Sequence, residues 1–300
     1  IKYVSKSLKK DLLTQGEENL KLENKIKKLT NSKYCSLTSN GTASLYLVGK
    51  ALNWNKKSIV ICPTISFVST ANCIELNNAS THFMDINPKT FCIDVNKLED
   101  EIKKIYNNKK KIHSVIAVDY AGHPCEWSDL YYLSKKFNFS LVNDNCHAIG
   151  SIYKNNNFYA QKYANLSTLS FHPVKTITTG EGGAVFTNNK SLIEKINLYK
   201  NHGLIREKYI KNQNTWPYSM HDIGFNFRLS DINCALGISQ MKKLDYFLSK
   251  RKKIADFYNN FFESYKNIIH TQFTEYNYKN SYHLYSIRVK FSKLNVTKAQ

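Results

Sequence analysis

Apolar residues along the chain follow two alternating rhythms. Short runs rich in β-branched and aliphatic residues, at 34–37, 58–62, 81–84, 114–119, 140–143, 166–171 and 183–187, have the length and bounding turn residues of buried strands. Between them, apolar positions recur at helical spacing over 42–52, 66–76, 95–106, 127–137 and 191–201. An earlier helix is predicted over 17–29, with Leu20, Leu22, Ile26 and Leu29 on one face, after a loop at 12–16. This strand–helix alternation predicts an α/β sheet covered by helices on both sides. Beyond Asn201 the rhythm changes. A polar segment at 203–220 leads to Gly-Phe-Asn-Phe-Arg at 224–228, and one long helical pattern then runs through 230–265. The stretch 281–289 alternates as a strand should. The expected division is a large domain over 1–240, then a helical linker and the start of a smaller α+β domain over 241–300. Ile1 in place of an initiator Met and a helix-like opening at 293–300 predict a chain clipped at both ends.

Composition narrows the class. With 300 residues, 42% hydrophobic and 22% charged, the chain can bury a sizeable core. No run approaches the length of a membrane span, and the N-terminus has no signal-peptide pattern, so a cytoplasmic protein with no membrane partner is expected. Seven cysteines without a CxxC pair point to reduced thiols, and nine histidines without HExxH give no metal motif. A net charge of +20 raises the question of nucleic acid, but the lysines are scattered or in short runs such as 109–111 and 250–253. No nucleic-acid partner is expected. An anionic small-molecule substrate remains compatible with the charge.

Three stretches carry candidate chemistry. Ser39-Asn40-Gly41-Thr42-Ala43-Ser44 follows a strand and opens a helix. It is either a plain helix cap or a site where free amides and the helix dipole hold a phosphate, and it is not a Walker loop. Asp144 ends a strand, where it either caps a turn or faces a ligand at the sheet edge; His147 follows three residues later. Lys175 lies behind Pro173 and ahead of a Thr- and Gly-rich loop, either as a solvated cation or as a nucleophilic amine in a cleft. On one α/β scaffold these three suit pyridoxal phosphate. Its phosphate needs helix amides, its ring nitrogen an acid partner, and its aldehyde a lysine.

The motifs at 39–43, 118–123, 144–150, 224–231 and 282–285, and above all Ser-Phe-His-Pro-Val-Lys-Thr-Ile-Thr-Thr-Gly-Glu-Gly-Gly at 170–183, resemble those of the DegT/StrS-type sugar aminotransferases. The resemblance runs from Leu13 to about Val289. Trp216-Pro217-Tyr218, Ala-Leu-Gly-Ile-Ser-Gln at 235–240 and Tyr-His-Leu-Tyr at 282–285 look most like the 4-aminotransferases of the pseudaminic acid pathway, which act on a UDP-linked 4-keto-6-deoxy-N-acetyl hexose. The fold so implied is the aspartate aminotransferase-like fold type I, a mixed, mostly parallel sheet sandwiched by helices, with an incomplete small C-terminal domain.

The resemblance also implies roles, residue by residue. Lys175 matches the catalytic Schiff-base lysine, Asp144 the acid on the pyridine nitrogen, and His147 a neighbour of the ring. Phe67 matches the stacking aromatic, Thr42 and Ala43 the phosphate-binding amides, and Ser170 a hydroxyl donor to the same phosphate. Asn226 and Arg228 lie in the segment lent to a partner subunit's phosphate, which implies a homodimer with shared sites. Glutamate is the implied amino donor and a nucleotide-linked keto sugar the acceptor. Glu181 has no assignable role. Relatives that dehydrate or deoxygenate the sugar replace the lysine with histidine, so Lys175 speaks for a transaminase. Two alternatives stay open, amination at carbon 3 or on a dTDP or GDP sugar, and a non-catalytic cofactor-binding regulator. Departures from the pattern, Glu17 for a proline, Asn143 before Asp144, and Asn145 with Cys146 for small residues, leave the catalytic set intact.

Overall fold

The computed structural model describes residues 1–206, 218–294 and 296–298. In chain order the elements begin with α1 (Lys2–Ser7), α2 (Glu17–Thr30), β1 (Tyr34–Thr38), α3 (Gly41–Ala51), β2 (Ile59–Pro63), α4 (Val68–Leu76) and β3 (Ser80–Met84). Next come α5 (Val95–Asn107), β4 (Ile112–Val118), α6 (Trp127–Phe137), β5 (Ser140–Asp144), α7 (Tyr159–Tyr163), β6 (Leu166–Ser170), β7 (Gly183–Thr187) and α8 (Lys190–Lys200). The chain continues with β8 (Leu204–Arg206), β9 (Tyr218–Met220), α9 (Asp231–Met241), α10 (Leu244–Glu263), β10 (Ile269–Thr271) and β11 (Ile287–Val289).

Seven strands form one sheet in the order β1-β7-β6-β5-β4-β2-β3. Pairing is parallel throughout except at β7, which runs antiparallel to both β1 and β6. The sheet is a mixed, mostly parallel α/β sheet, as the alternation predicts. Its strands read as near-continuous apolar runs because both faces are covered. Successive residues feed opposite sides: Val115 and Ala117 join a core with α2, α5, α6 and α9, while Ile116 joins a second core with α3, α4 and α8.

Polar residues set the boundaries. Asn40, Asp94, Asn189 and Ser230 cap α3, α5, α8 and α9 through side-chain oxygens that accept from first-turn amides. Asn31 and Asn138 end α2 and α6 in the left-handed conformation.

Two expectations change. The helix predicted through 230–265 breaks at Lys242–Lys243 into α9 and α10, since apolar spacing alone cannot show where the axis turns. The strand predicted over 281–289 survives only as β11; Tyr282 has a positive φ of 49°, and the preceding residues leave strand geometry. That stretch hydrogen-bonds instead to the 3-10 turn at Tyr120–Gly122 after β4, through Ser281 N–H to Gly122 O (3.2 Å) and Leu284 N–H to Ala121 O (3.3 Å). Trp216 and Pro217 lie outside the described residues.

Candidate active site

Every parallel strand of the sheet points its C-terminal end toward the same edge, where the crossovers leave a crevice. There a cavity of about 1020 Å³ opens, and five strand ends feed it. After β1 come Asn40 to Ala43, after β2 Phe67, after β4 Tyr120, after β5 Cys146 and His147, and after β6 His172 and Lys175. Asp144 and Ser170, the last residues of β5 and β6, also line it.

The N-terminus of α3 forms one end of the cavity. Asn40 Oδ1 accepts from the Ala43 amide at 2.7 Å. Of the two amides assigned to a phosphate by resemblance, Ala43's is therefore already capped, whereas Thr42 is exposed toward the cavity. The Gly41 and Thr42 amides sit in the first turn, where no intrahelical acceptor exists. A Cβ at Gly41 would stand 2.8 Å from Ser170 Cβ and 3.1 Å from its Oγ, so only glycine keeps this corner open.

Asp144 is buried. Its Oδ2 accepts from Thr70 Oγ1 on α4 at 2.8 Å, and its Oδ1 from the Cys146 amide at 3.3 Å. Donors on both oxygens hold the carboxylate in one orientation. Thr70 went unnoticed in the sequence because nothing marks one helical threonine as facing a strand end.

Lys175 sits in the loop between β6 and the antiparallel β7. The loop is closed by Phe171 N–H to Gly182 O (2.8 Å), Thr179 N–H to Phe171 O (3.0 Å) and Asn233 Nδ2 to Thr179 O (2.5 Å). Burial pushes the Lys175 amine below its ordinary value, with the Asp144 carboxylate acting the other way. It is not a solvated loop cation. Its Nζ lies 3.5 Å from His283 Nε2. Burial, then Lys175, then His283 hold His147 down to about 2, and burial, then Lys175, then Arg251 hold His283 down to about 3, so both imidazoles are neutral at physiological pH. The two rings pack against each other at a tilt of 41°, with centroids 4.3 Å apart.

Phe67 is 63% exposed at the cavity wall, a free aromatic face. Asn226 and Arg228 do not line this cavity. Arg228 donates to Asn201 Oδ1 at 2.5 Å, and Asn226 bridges Asn201. His172 and Glu181 face each other at the rim, 3.9 Å apart.

A buried carboxylate, a helix N-terminus kept open by glycine and a desolvated lysine amine thus share one cavity. This donor set fits a phosphate-bearing aldehyde with a basic ring nitrogen, which is pyridoxal phosphate. The sequence profile of the DegT/DnrJ/EryC1/StrS aminotransferase family matches residues 1–300. The chain belongs to this family.

As a DegT/DnrJ/EryC1/StrS member it is a pyridoxal-phosphate-dependent sugar aminotransferase. It is 38% identical over 287 residues to the UDP-4-amino-4,6-dideoxy-N-acetyl-beta-L-altrosamine transaminase of Campylobacter jejuni, covering 96% of this chain and 73% of that one. Helicobacter pylori PseC, an aminotransferase involved in the biosynthesis of pseudoaminic acid, superimposes with a TM-score of 0.85 at 32% identity, covering 98% of this chain and 76% of that one. A sugar aminotransferase from Streptococcus pneumoniae in its PLP form matches with a TM-score of 0.84 at 25% identity, covering 96% and 75% of the two chains. Among the described residues of this DegT/DnrJ/EryC1/StrS chain, no helix is long and apolar enough to cross a membrane.

Proposed function

We propose that this enzyme moves an amino group from glutamate to carbon 4 of a UDP-linked 4-keto-6-deoxy-N-acetyl hexose. The donor becomes 2-oxoglutarate and the ketone becomes an amine, in two half-reactions at one site. The observation that carries this reading is the desolvated Lys175 amine in the same cavity as Asp144 and the α3 N-terminus. The nucleotide and the sugar carbon are supported by the Campylobacter relative's name at 38% identity.

Bound pyridoxal phosphate supplies an electron sink and a carbonyl that carries nitrogen between the two substrates. The chain's own residues do the rest. Asp144, oriented by Thr70, would hold the ring nitrogen protonated. The Gly41 and Thr42 amides with Ser170 would hold the phosphate, Ala43 contributing once Asn40 turns away. Phe67 would cover a ring face and His147 would lie near the ring. Lys175 would anchor the aldehyde and, when released, move protons as a neutral amine.

Among the described cavity-lining residues Lys175 is the sole lysine or arginine. A diphosphate would therefore meet its cations from elsewhere, which supports a homodimer in which Asn226 and Arg228 serve the neighbouring site. Seven unpaired cysteines support a reducing, cytoplasmic setting.

The test is a mass-spectrometric screen of UDP-, dTDP- and GDP-linked 3- and 4-keto sugars with glutamate. We expect 2-oxoglutarate together with a 4-amino product from the UDP sugar. Amination confined to another nucleotide or to carbon 3 would overturn the specificity, and no 2-oxoglutarate with any acceptor would overturn the donor.

A further inference from the structure

The most informative unassigned residue in the molecule is His283. It is 9% exposed, lies on the cavity wall, and comes from a segment more than 100 positions beyond Lys175. Three separate contacts bring it there. Arg251 of α10 donates to the carbonyls of Tyr282 (3.0 Å) and His283 (3.1 Å). Ser281 Oγ donates to the carbonyl of His147 at 2.8 Å. The His147 ring lies against the His283 ring, and His147 Nδ1 in turn accepts from the Ala121 amide at 3.3 Å. A side chain merely filling space would not need its backbone pinned from a helix and from two strand ends.

We propose that His283 is the positioning partner of Lys175: its Nε2 accepts a hydrogen bond from the amine and keeps that amine aimed into the cavity. A neutral imidazole has one donor and one acceptor nitrogen. If Nε2 carried the proton, it would bond to the amine's lone pair, the pair that must be free to react. With the proton on Nδ1, the amine donates an N–H to Nε2 and the lone pair stays available. No described residue accepts from or donates to Nδ1, so no protein contact opposes this tautomer.

The charges around the pair act in the same direction. His283 faces Lys175 from the β6–β7 loop, His147 from the end of β5, and Arg251 from α10, and among the described residues no carboxylate is paired with it. Burial first, then the positive charges of Lys175 and Arg251, hold its ring down to about 3. Lys175 has Asp144 and Cys146 on its other side, and burial outweighs them in lowering its amine. The hydrogen bond onto this neutral imidazole is strong enough to orient the amine and weak enough to break when the lysine engages the cofactor or moves a proton.

The proposal rests on the aminotransferase reading of Lys175, but its first test needs no turnover. In full-length protein labelled with 15N-histidine, long-range proton–nitrogen spectra report which ring nitrogen is protonated, with the His283 signals assigned by their loss in His283→Gln. We expect a neutral ring protonated on Nδ1 near neutral pH, and a shift of the Nε2 resonance in Lys175→Met. A proton on Nε2, or no response to Lys175→Met, would overturn the proposal whatever the substrate proves to be.

Kinetics of the holoenzyme give the second test. His283→Leu should lower kcat by roughly 100-fold, the scale of a misplaced reacting group, with the KM for the amino donor unchanged. His283→Gln, which restores an acceptor at the same reach, should recover most of that loss. Equal impairment of the two variants, or an unchanged kcat in His283→Leu, would refute it. If neither variant folds, sequential backbone-to-ring assignment of the parent protein identifies the His283 signals, and its tautomer still decides.

Discussion

The buried carboxylate of Asp119, just beyond β4, should control stability through its acceptors more than through its charge. One oxygen accepts from the Cys125 amide (2.8 Å) and the Trp127 indole (2.9 Å), the other from Asn145 Nδ2 (2.8 Å) and Tyr159 OH (2.8 Å). Burial pushes this carboxyl up to about 6, with the Cys125 amide, Tyr159 and Asn145 pulling the other way, so it is largely ionised at neutral pH. Asp119→Asn removes a buried charge, and with it a desolvation cost on the order of 3 kcal/mol. It also weakens four charge-assisted hydrogen bonds by about 1 kcal/mol apiece. The amide oxygen can serve Cys125 and Trp127, while Tyr159 and Asn145 can turn to accept from the new NH2. The net loss is about 1 kcal/mol. Asp119→Leu offers no acceptor. The Cys125 amide and Trp127 indole cannot turn, and two orphaned donors at about 2 kcal/mol each give a loss of about 4 kcal/mol. Urea unfolding at neutral pH, at a fixed cofactor concentration, measures both. If Asp119→Leu proves as stable as Asp119→Asn, the acceptor argument is wrong.

Three further outcomes follow from the same geometry. Gly41→Ala should weaken cofactor binding by at least about tenfold while leaving the far-ultraviolet spectrum intact, because its Cβ would meet Ser170 at 2.8 Å; equilibrium dialysis of the cofactor is the check, and unchanged affinity would mean the corner is not the phosphate site. Thr70→Val should lower kcat and cost roughly 1–3 kcal/mol of stability, since it leaves one oxygen of the buried Asp144 carboxylate without its donor; parent-like kcat would remove Thr70 from the site. His147 and His283 titrate near 6.5 when unfolded but only near 2 and 3 when folded, so the unfolded chain takes up more protons as pH falls. Stability is full above pH 6.5 and drops by about 2 kcal/mol from these two rings between pH 6.5 and 5.5. Urea midpoints of the parent and of His147→Asn across that range should separate by about half of this, and parallel curves would contradict the neutral-ring assignment.

The sheet was legible in the sequence because strands buried on both faces, such as Leu141 and Val142 in β5, announce themselves as short apolar runs. The position of Lys175, Asp144 and the α3 start at one edge was legible for a related reason: each lies at, or within a short loop of, a strand's C-terminal end, so local order sets its place. What local order could not supply was contact across the chain. His283 reaches the site through a segment that alternates like a strand yet bends at Tyr282, where φ is positive, and Arg251 meets that segment from α10. The break between α9 and α10 was hidden because Leu244 and Leu248 continue the apolar spacing past the turn of the axis. The capping of the Ala43 amide by Asn40 was equally hidden, since asparagine before a glycine reads as either a cap or an open anion site.

The central claim is that the Lys175 amine is the group that carries the cofactor. Borohydride reduction of the holoenzyme, followed by peptide mapping, tests it most directly. The account predicts that the reduced cofactor is fixed to the peptide containing Lys175, and that Lys175→Ala protein treated in the same way carries none after dialysis. Cofactor fixed to another lysine, or retained with its visible absorbance by Lys175→Ala, would contradict it.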